Sequence, residues 1–162
     1  MSIWFSKPKG SVVRSLPDWN IDKAAAGSGK ASATGPMKPY VALYNDSTRG
    51  EQFWIYACFT SLSEFIGGLA MGVSGTVGSL QSTCQPVVIG NAALSGKIYS
   101  LTAAGDPGTA FAEIPCGQAC STWGTAPMFV LPSGYSLVVG FDFSTSPGSL
   151  YDLVVGFYYL VQ

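Results

Sequence analysis

The sequence predicts an all-β fold: an antiparallel β-sandwich, jelly-roll-like, with an extended N-terminal arm. Three observations carry that expectation. From residue 40 onward, short apolar stretches of strand length recur between turn signals rich in Gly, Pro, Asn, Asp and Ser. Within them apolar residues alternate with a period of two rather than recurring at helical spacing. The composition agrees, with 20 Gly and 10 Pro among 162 residues and 13% aromatics, which fits many strands and turns and argues against disorder.

Residues 1–39 stand apart. The stretch "KAAAGSGKASATGPMKP" is small, free of aromatics and without either period, and it reads as a flexible arm or linker. The domain boundary is placed there, with the arm at 1–39 and the sandwich at 40–162. Trp4, Phe5 and Trp19 are large apolar groups that are costly to leave in water, so they are candidate interface anchors on this subunit or another.

Candidate strands follow at 40–44, 52–60, 65–73, 86–89, 97–102, 110–114, 128–131, 135–143 and 150–161. The turns "NDSTRG", "GNAALSG", "AAGDPG", "LPSG" and "STSPGS" separate them. The best helical stretch, "TSLSEFIGGLA", is spoiled by its glycines.

Two of the strands are nearly the same. "YSLVVGFDF" (135–143) and "YDLVVGFYY" (151–159) share six of nine residues. Tyr135, Leu137, Val139, Phe141 and Phe143 fall on one face of the first. Tyr151, Leu153, Val155, Phe157, Tyr159 and Val161 fall on one face of the second. Both sets are core candidates, each buried side chain contributing about 1.5–3 kcal/mol. The two strands either pair directly across "STSPGS", with Val139 opposite Leu153, or lie in facing sheets. Val138, Val154, Tyr158 and Leu160 are apolar on the other face, where a solvated strand would carry polar groups. The last strand is therefore expected to be covered on both sides, with Val154, Tyr158 and Leu160 as candidate interface residues.

Charge narrows the functional classes. Only 10% of residues are charged, less than a monomer's surface usually carries, so part of the surface is expected to be covered by other chains. Residues 1–50 carry seven Lys/Arg and three Asp/Glu, whereas residues 51–162 carry one and six. The basic end is too dilute to grip nucleic acid and the acidic body would repel phosphate. Gly, Pro, Ser and Thr break every uncharged run, so no membrane span is expected. "MSIWFSKPKG" has no apolar run of a secretory signal, which leads to synthesis in a cytoplasm.

Little catalytic equipment is legible. Histidine is absent, which removes His-based triads and His metal sites. The carboxylates are scattered. "GSGKAS" lacks the first glycine of a phosphate loop and has Ala31 at the hydroxyl position. "NDSTRGE" spaces oxygens like a calcium loop, but Arg49 would oppose a cation, and it reads as a connection between strands. Cys58, Cys84, Cys116 and Cys120 lack zinc spacing. Cys116 and Cys120, in "CGQAC", close a small disulfide loop if oxidised, and buried or idle thiols are the alternative in a cytoplasm. Trp123, in "STWGTAP", is a candidate for stacking on sugar rings. No enzymatic activity and no cofactor are expected.

The stretches "YVALYNDSTRGEQFWIYA" and "MFVLPSGYSLVVGF" resemble small β-sandwich structural proteins of tailed-bacteriophage virions, of the capsid-decoration, head-fibre and tail-adaptor type. The resemblance spans roughly residues 40–162. It implies a non-enzymatic virion protein that forms homo-oligomers, trimeric or higher, and attaches to other virion structural proteins through its apolar surface and its arm. A carbohydrate- or receptor-binding module of a virion is the alternative. Neither nucleic acid nor membrane is an expected partner.

Overall fold

A computed structural model describes residues 23–63, 68–74, 81–84, 87–89, 96–104, 109–115, 119–123, 126–141 and 147–162. Among them the chain forms β1 (Ala24–Thr34), β2 (Lys38–Tyr44), β3 (Phe53–Leu62), β4 (Gly68–Ser74), β5 (Gln81–Cys84) and β6 (Val87–Ile89). It continues as β7 (Lys97–Ala103), β8 (Thr109–Pro115), β9 (Ala119–Trp123), β10 (Phe129–Leu131), β11 (Ser136–Phe141) and β12 (Leu150–Val161). These make two six-stranded sheets. The first runs β10-β3-β12-β1-β6, with β9 also on β3; the second runs β5-β7-β2-β11-β4-β8. Every pairing is antiparallel. The sheets face each other over one core, to which the first contributes Phe53, Ile55, Leu153 and Phe157 and the second Val41, Leu43, Ile98, Leu137 and Val139. The fold is an antiparallel β-sandwich, as expected.

The period-two pattern explains which side chains enter that core. Along β12, Tyr151, Leu153, Val155, Phe157, Tyr159 and Val161 are all buried in it. Leu137 and Val139 do the same from β11. The ring of Tyr159 stacks on Phe53, centroids 4.6 Å apart at 24°. Cys58 packs into the same core as a thiol.

The domain boundary at residue 39 is corrected. Residues 24–34, read as linker, form β1, an interior strand paired with β12 along all its 11 residues, from Ala24 opposite Leu160 to Thr34 opposite Leu150. Its alternation is present but low in amplitude. Ala25, Ala31 and Ala33 are buried while Ser28, Lys30, Ser32 and Thr34 are exposed, and alanine buries too little apolar area to stand out. Small residues suit the strand, because its neighbour β12 fills the core with Tyr151, Phe157 and Tyr159. Trp4, Phe5 and Trp19 lie outside the described residues.

Of the two arrangements open to the twin strands, they take the one in facing sheets rather than direct pairing. β11 sits between β2 and β4, and β12 between β3 and β1, so the twins occupy different sheets. β5 and β9, for which no strand was expected, are short: "QSTC" and "ACSTW".

At one end of the sandwich the "NDSTRGE" loop acts as a structural clasp. Buried Asn45 donates through Nδ2 to the carbonyls of Glu51 (2.8 Å) and Leu131 (3.0 Å), and its Oδ1 accepts from the Ser47 amide (3.1 Å). Ser133 donates to the Ser47 carbonyl at 2.6 Å, and the Ser47 hydroxyl donates to the Glu51 carboxylate at 2.8 Å. Asp46 accepts from the Gly96 amide at 2.7 Å and pairs with Lys97 at 3.3 Å. A network satisfied this fully ties the β2–β3 connection to the start of β7 and to the β10–β11 turn.

Candidate functional site

The outer face of the first sheet is built from the residues that alternate with the core set. β12 contributes Leu150, Asp152, Val154, Gly156, Tyr158 and Leu160. β1 contributes Ala24, Ala26, Ser28, Lys30, Ser32 and Thr34, and β3 contributes Trp54, Ala57, Phe59 and Ser61. A bulge in β3 between the partners of Tyr158 and Tyr159 lets Tyr56 join this face next to Ala57.

The face has two halves. Toward the C-terminal end of β12, Ala24, Tyr56 and Leu160 are buried as a separate apolar cluster, with half-buried Trp54 and Tyr158 against it. The Trp54 indole Nε1 is buried there without a hydrogen-bond partner. Burial pushes the Tyr56 hydroxyl above its ordinary pKa, with neighbouring Tyr158 adding to the rise, and burial alone raises Tyr158.

The other half is open. Gly156 lies directly between Ser28 on β1 and Phe59 on β3. Lacking a side chain, it floors a shallow groove of about 350 Å³ lined by Ala26, Ser28, Phe59 and Tyr158. A Cβ added at Gly156 would meet nothing closer than 3.8 Å. Phe59, in the groove wall, is 43% exposed, and Val154 (38%) and Leu150 (58%) are exposed further along β12, which puts large apolar groups of this sheet in water.

Further along β1 and β12 the same face carries a charged pair. Asp152 pairs with Lys30 at 3.2 Å and accepts from the Ser32 hydroxyl at 2.5 Å. That hydrogen bond, and then Lys30, hold the Asp152 carboxyl below its ordinary pKa.

The candidate interface residues divide accordingly. Val154 is exposed and Tyr158 half-buried, as a contact surface requires. Leu160 is corrected: it is fully buried within the chain, because Ala24 and Trp54 flank it on the neighbouring strands and Tyr56 packs on it. Phe59 and Gly156 escaped sequence reading. The β3 bulge shifts the alternation that would have placed Phe59, and a strand glycine marks a close approach or a gap only once its cross-strand neighbours are known.

Trp123 ends β9 opposite Ala57 rather than sitting in a loop, and its side chain lies outside the described residues. Cys120 is on the same strand opposite Thr60, while Cys116 lies outside the described residues. Among the tyrosines, Tyr135 is 46% exposed at the β10–β11 turn, whereas Tyr151 and Tyr159 are core. Comparison of the chain with protein-family models, with curated proteins and with solved structures finds no match.

Proposed function

We propose that this chain is a non-enzymatic structural subunit of a virion, of the tailed-bacteriophage capsid-decoration or tail type. It self-associates, as a trimer or a higher oligomer, and attaches to other virion proteins. Its chain crosses repeatedly between the two sheets, in keeping with a jelly-roll-like topology. One observation carries the reading: the last strand is mainly apolar on both faces, with Asp152 the one charged residue on its outer side. One face fills the core, and the other presents Val154 and Tyr158, with Phe59 beside them on β3 and an open groove between. A solvated outer face would carry charge there, and a face built this way gains free energy when a second protein covers it. Asp46, Glu51 and Asp152 are each engaged in tying strands or loops together.

Size-exclusion chromatography with light scattering tests this. The wild-type chain is expected as an oligomer, and Val154→Lys as a folded species of lower mass. A wild-type species of 16.9 kDa at high concentration overturns the reading. The alternative, a carbohydrate- or receptor-binding module, has one observation in its favour: Tyr135 is exposed at the turn that also carries Ser133. Glycan binding that is lost in Tyr135→Ala would favour it.

A further inference from the structure

The groove at Gly156 has the shape to receive a side chain from outside its own sheet. Its floor is bare, since a Cβ placed at Gly156 would meet nothing closer than the Ser28 Cβ at 3.8 Å. Phe59 and Tyr158 stand in its wall, and its volume of about 350 Å³ lies at the small end of binding clefts. Such a space suits one aromatic side chain, which gains from contact with other rings as well as from burial. A second copy meeting this face about a two-fold axis would not fill it. That contact sets the same patch against itself, groove against groove, and leaves a void where interfaces are close-packed. Filling the groove takes a segment from elsewhere in the chain.

The residues ahead of β1 supply one. The chain enters the sheet at Ala24, opposite Leu160, and the groove lies at Ser28, opposite Gly156, about 13 Å further along the strand. Trp19 is tethered within about 17 Å of Ala24, too short a reach for the groove of another subunit. Trp4 and Phe5 are tethered far more loosely, because the stretch from Phe5 to Ala24 can span roughly 60 Å. That exceeds the width of a compact domain of this size, whose radius of gyration is about 15 Å. Charge favours the same segment. Residues 1–17 carry Lys7, Lys9 and Arg14 and no Asp or Glu, whereas residues 51–162 carry six Asp/Glu and one Lys. We propose that the Trp4–Phe5 pair of one copy docks in the Gly156 groove of a neighbouring copy, with one ring seated against Phe59 and Tyr158. A segment of one copy on a different patch of the next is a heterologous contact, which closes into rings such as a trimer. Within the assembly its binding is intramolecular, which adds avidity to the contact of the sheet faces.

The inference rests on the self-association proposed above and names what fills its interface. All tests use the full-length chain. The double variant Trp4→Ala with Phe5→Ala is expected to keep its circular dichroism. Its association, followed by light scattering against concentration, is expected to weaken about tenfold or more, as loss of a buried aromatic anchor does. Ser28→Tyr, which fills the groove, is expected to weaken association in the wild-type background and to add nothing in the double variant. Phe5→p-benzoylphenylalanine, irradiated, is expected to give a crosslinked dimer with its adduct in the peptide that holds Phe59 or the one that holds Tyr158. If the wild type assembles but the double variant associates as tightly, the docking is overturned and the self-association reading stands. An adduct formed within one chain, or away from those two peptides, has the same consequence. A wild-type monomer overturns both. If the double variant does not fold, the crosslink alone decides.

Discussion

β11 and β12 carry the same Leu-Val-Val-Gly-Phe core segment and meet opposite fates on their outer faces. Inside the sandwich they behave alike: Leu137 and Val139 in one, Leu153 and Val155 in the other, are all fully buried. Outside they diverge. Val138 is 4% exposed, covered in a cluster with Tyr40 and Ala42, whereas Val154 is 38% exposed. The glycines diverge in the same way. Gly140 faces Tyr40 across the strand pair, and the tyrosine ring occupies the space where a Cβ would stand. Gly156 faces Ser28, which is too short to cover it, and Phe59, whose Cβ rather than its ring stands nearest at 3.9 Å, so a groove remains. An aromatic ring laid over a strand glycine closes one sheet, and a serine in the equivalent place leaves the other open. The outer face of a strand is decided by what stands opposite it.

Substitutions can break or sharpen this contrast. The largest effect is expected from Tyr40→Ala, which uncovers Gly140 and Val138 and costs about 3 kcal/mol in chemical denaturation. A loss below about 1 kcal/mol would mean that the ring is not what closes the face. Next comes Gly140→Ala, whose methyl lands within the Tyr40 ring. It is expected to destabilise by about 1–3 kcal/mol as the ring is displaced. The twin substitution Gly156→Ala has room. It is expected to stabilise by about 0.5–1 kcal/mol, as removing a glycine from a strand interior does. Equal effects at the two glycines would erase the contrast.

Ser28→Tyr copies the Tyr40–Gly140 arrangement onto the open sheet. Stability should change by only about 0.2–1 kcal/mol, the range of cross-strand pairs. Light scattering should show self-association weakened, because the groove is filled; unchanged assembly would place the contact elsewhere.

The smallest effect concerns pH. The Ser32 hydroxyl and Lys30 lower the Asp152 pKa on folding, so this carboxylate contributes stability above the ordinary carboxylate pKa. That contribution is lost as pH falls through the lowered value. Being exposed, the pair is screened and the effect is slight. Asp152→Asn should flatten that part of the acid limb, and an unchanged limb would show that the pairing contributes nothing.

Much of the sandwich was legible in the residues. The last strand, expected at 150–161, is β12 at Leu150–Val161, because aromatic and β-branched residues alternating over that length leave one face that water disfavours. β1 was not legible, since Ala, Gly and Ser alternate too weakly to separate a strand from a linker. The candidate surface was half legible. Val154 stood out as an apolar residue in a polar position, while Phe59 was hidden by a bulge and Leu160 is buried by partners distant in sequence.

The chain by itself determined the two inner faces. Burying a period-two apolar row is favourable whichever strands lie beside it, so the pattern suffices. Only the tertiary structure decided the outer faces. Those depend on pairings such as Tyr40 with Gly140 and Ser28 with Gly156, which bring together residues far apart in the chain.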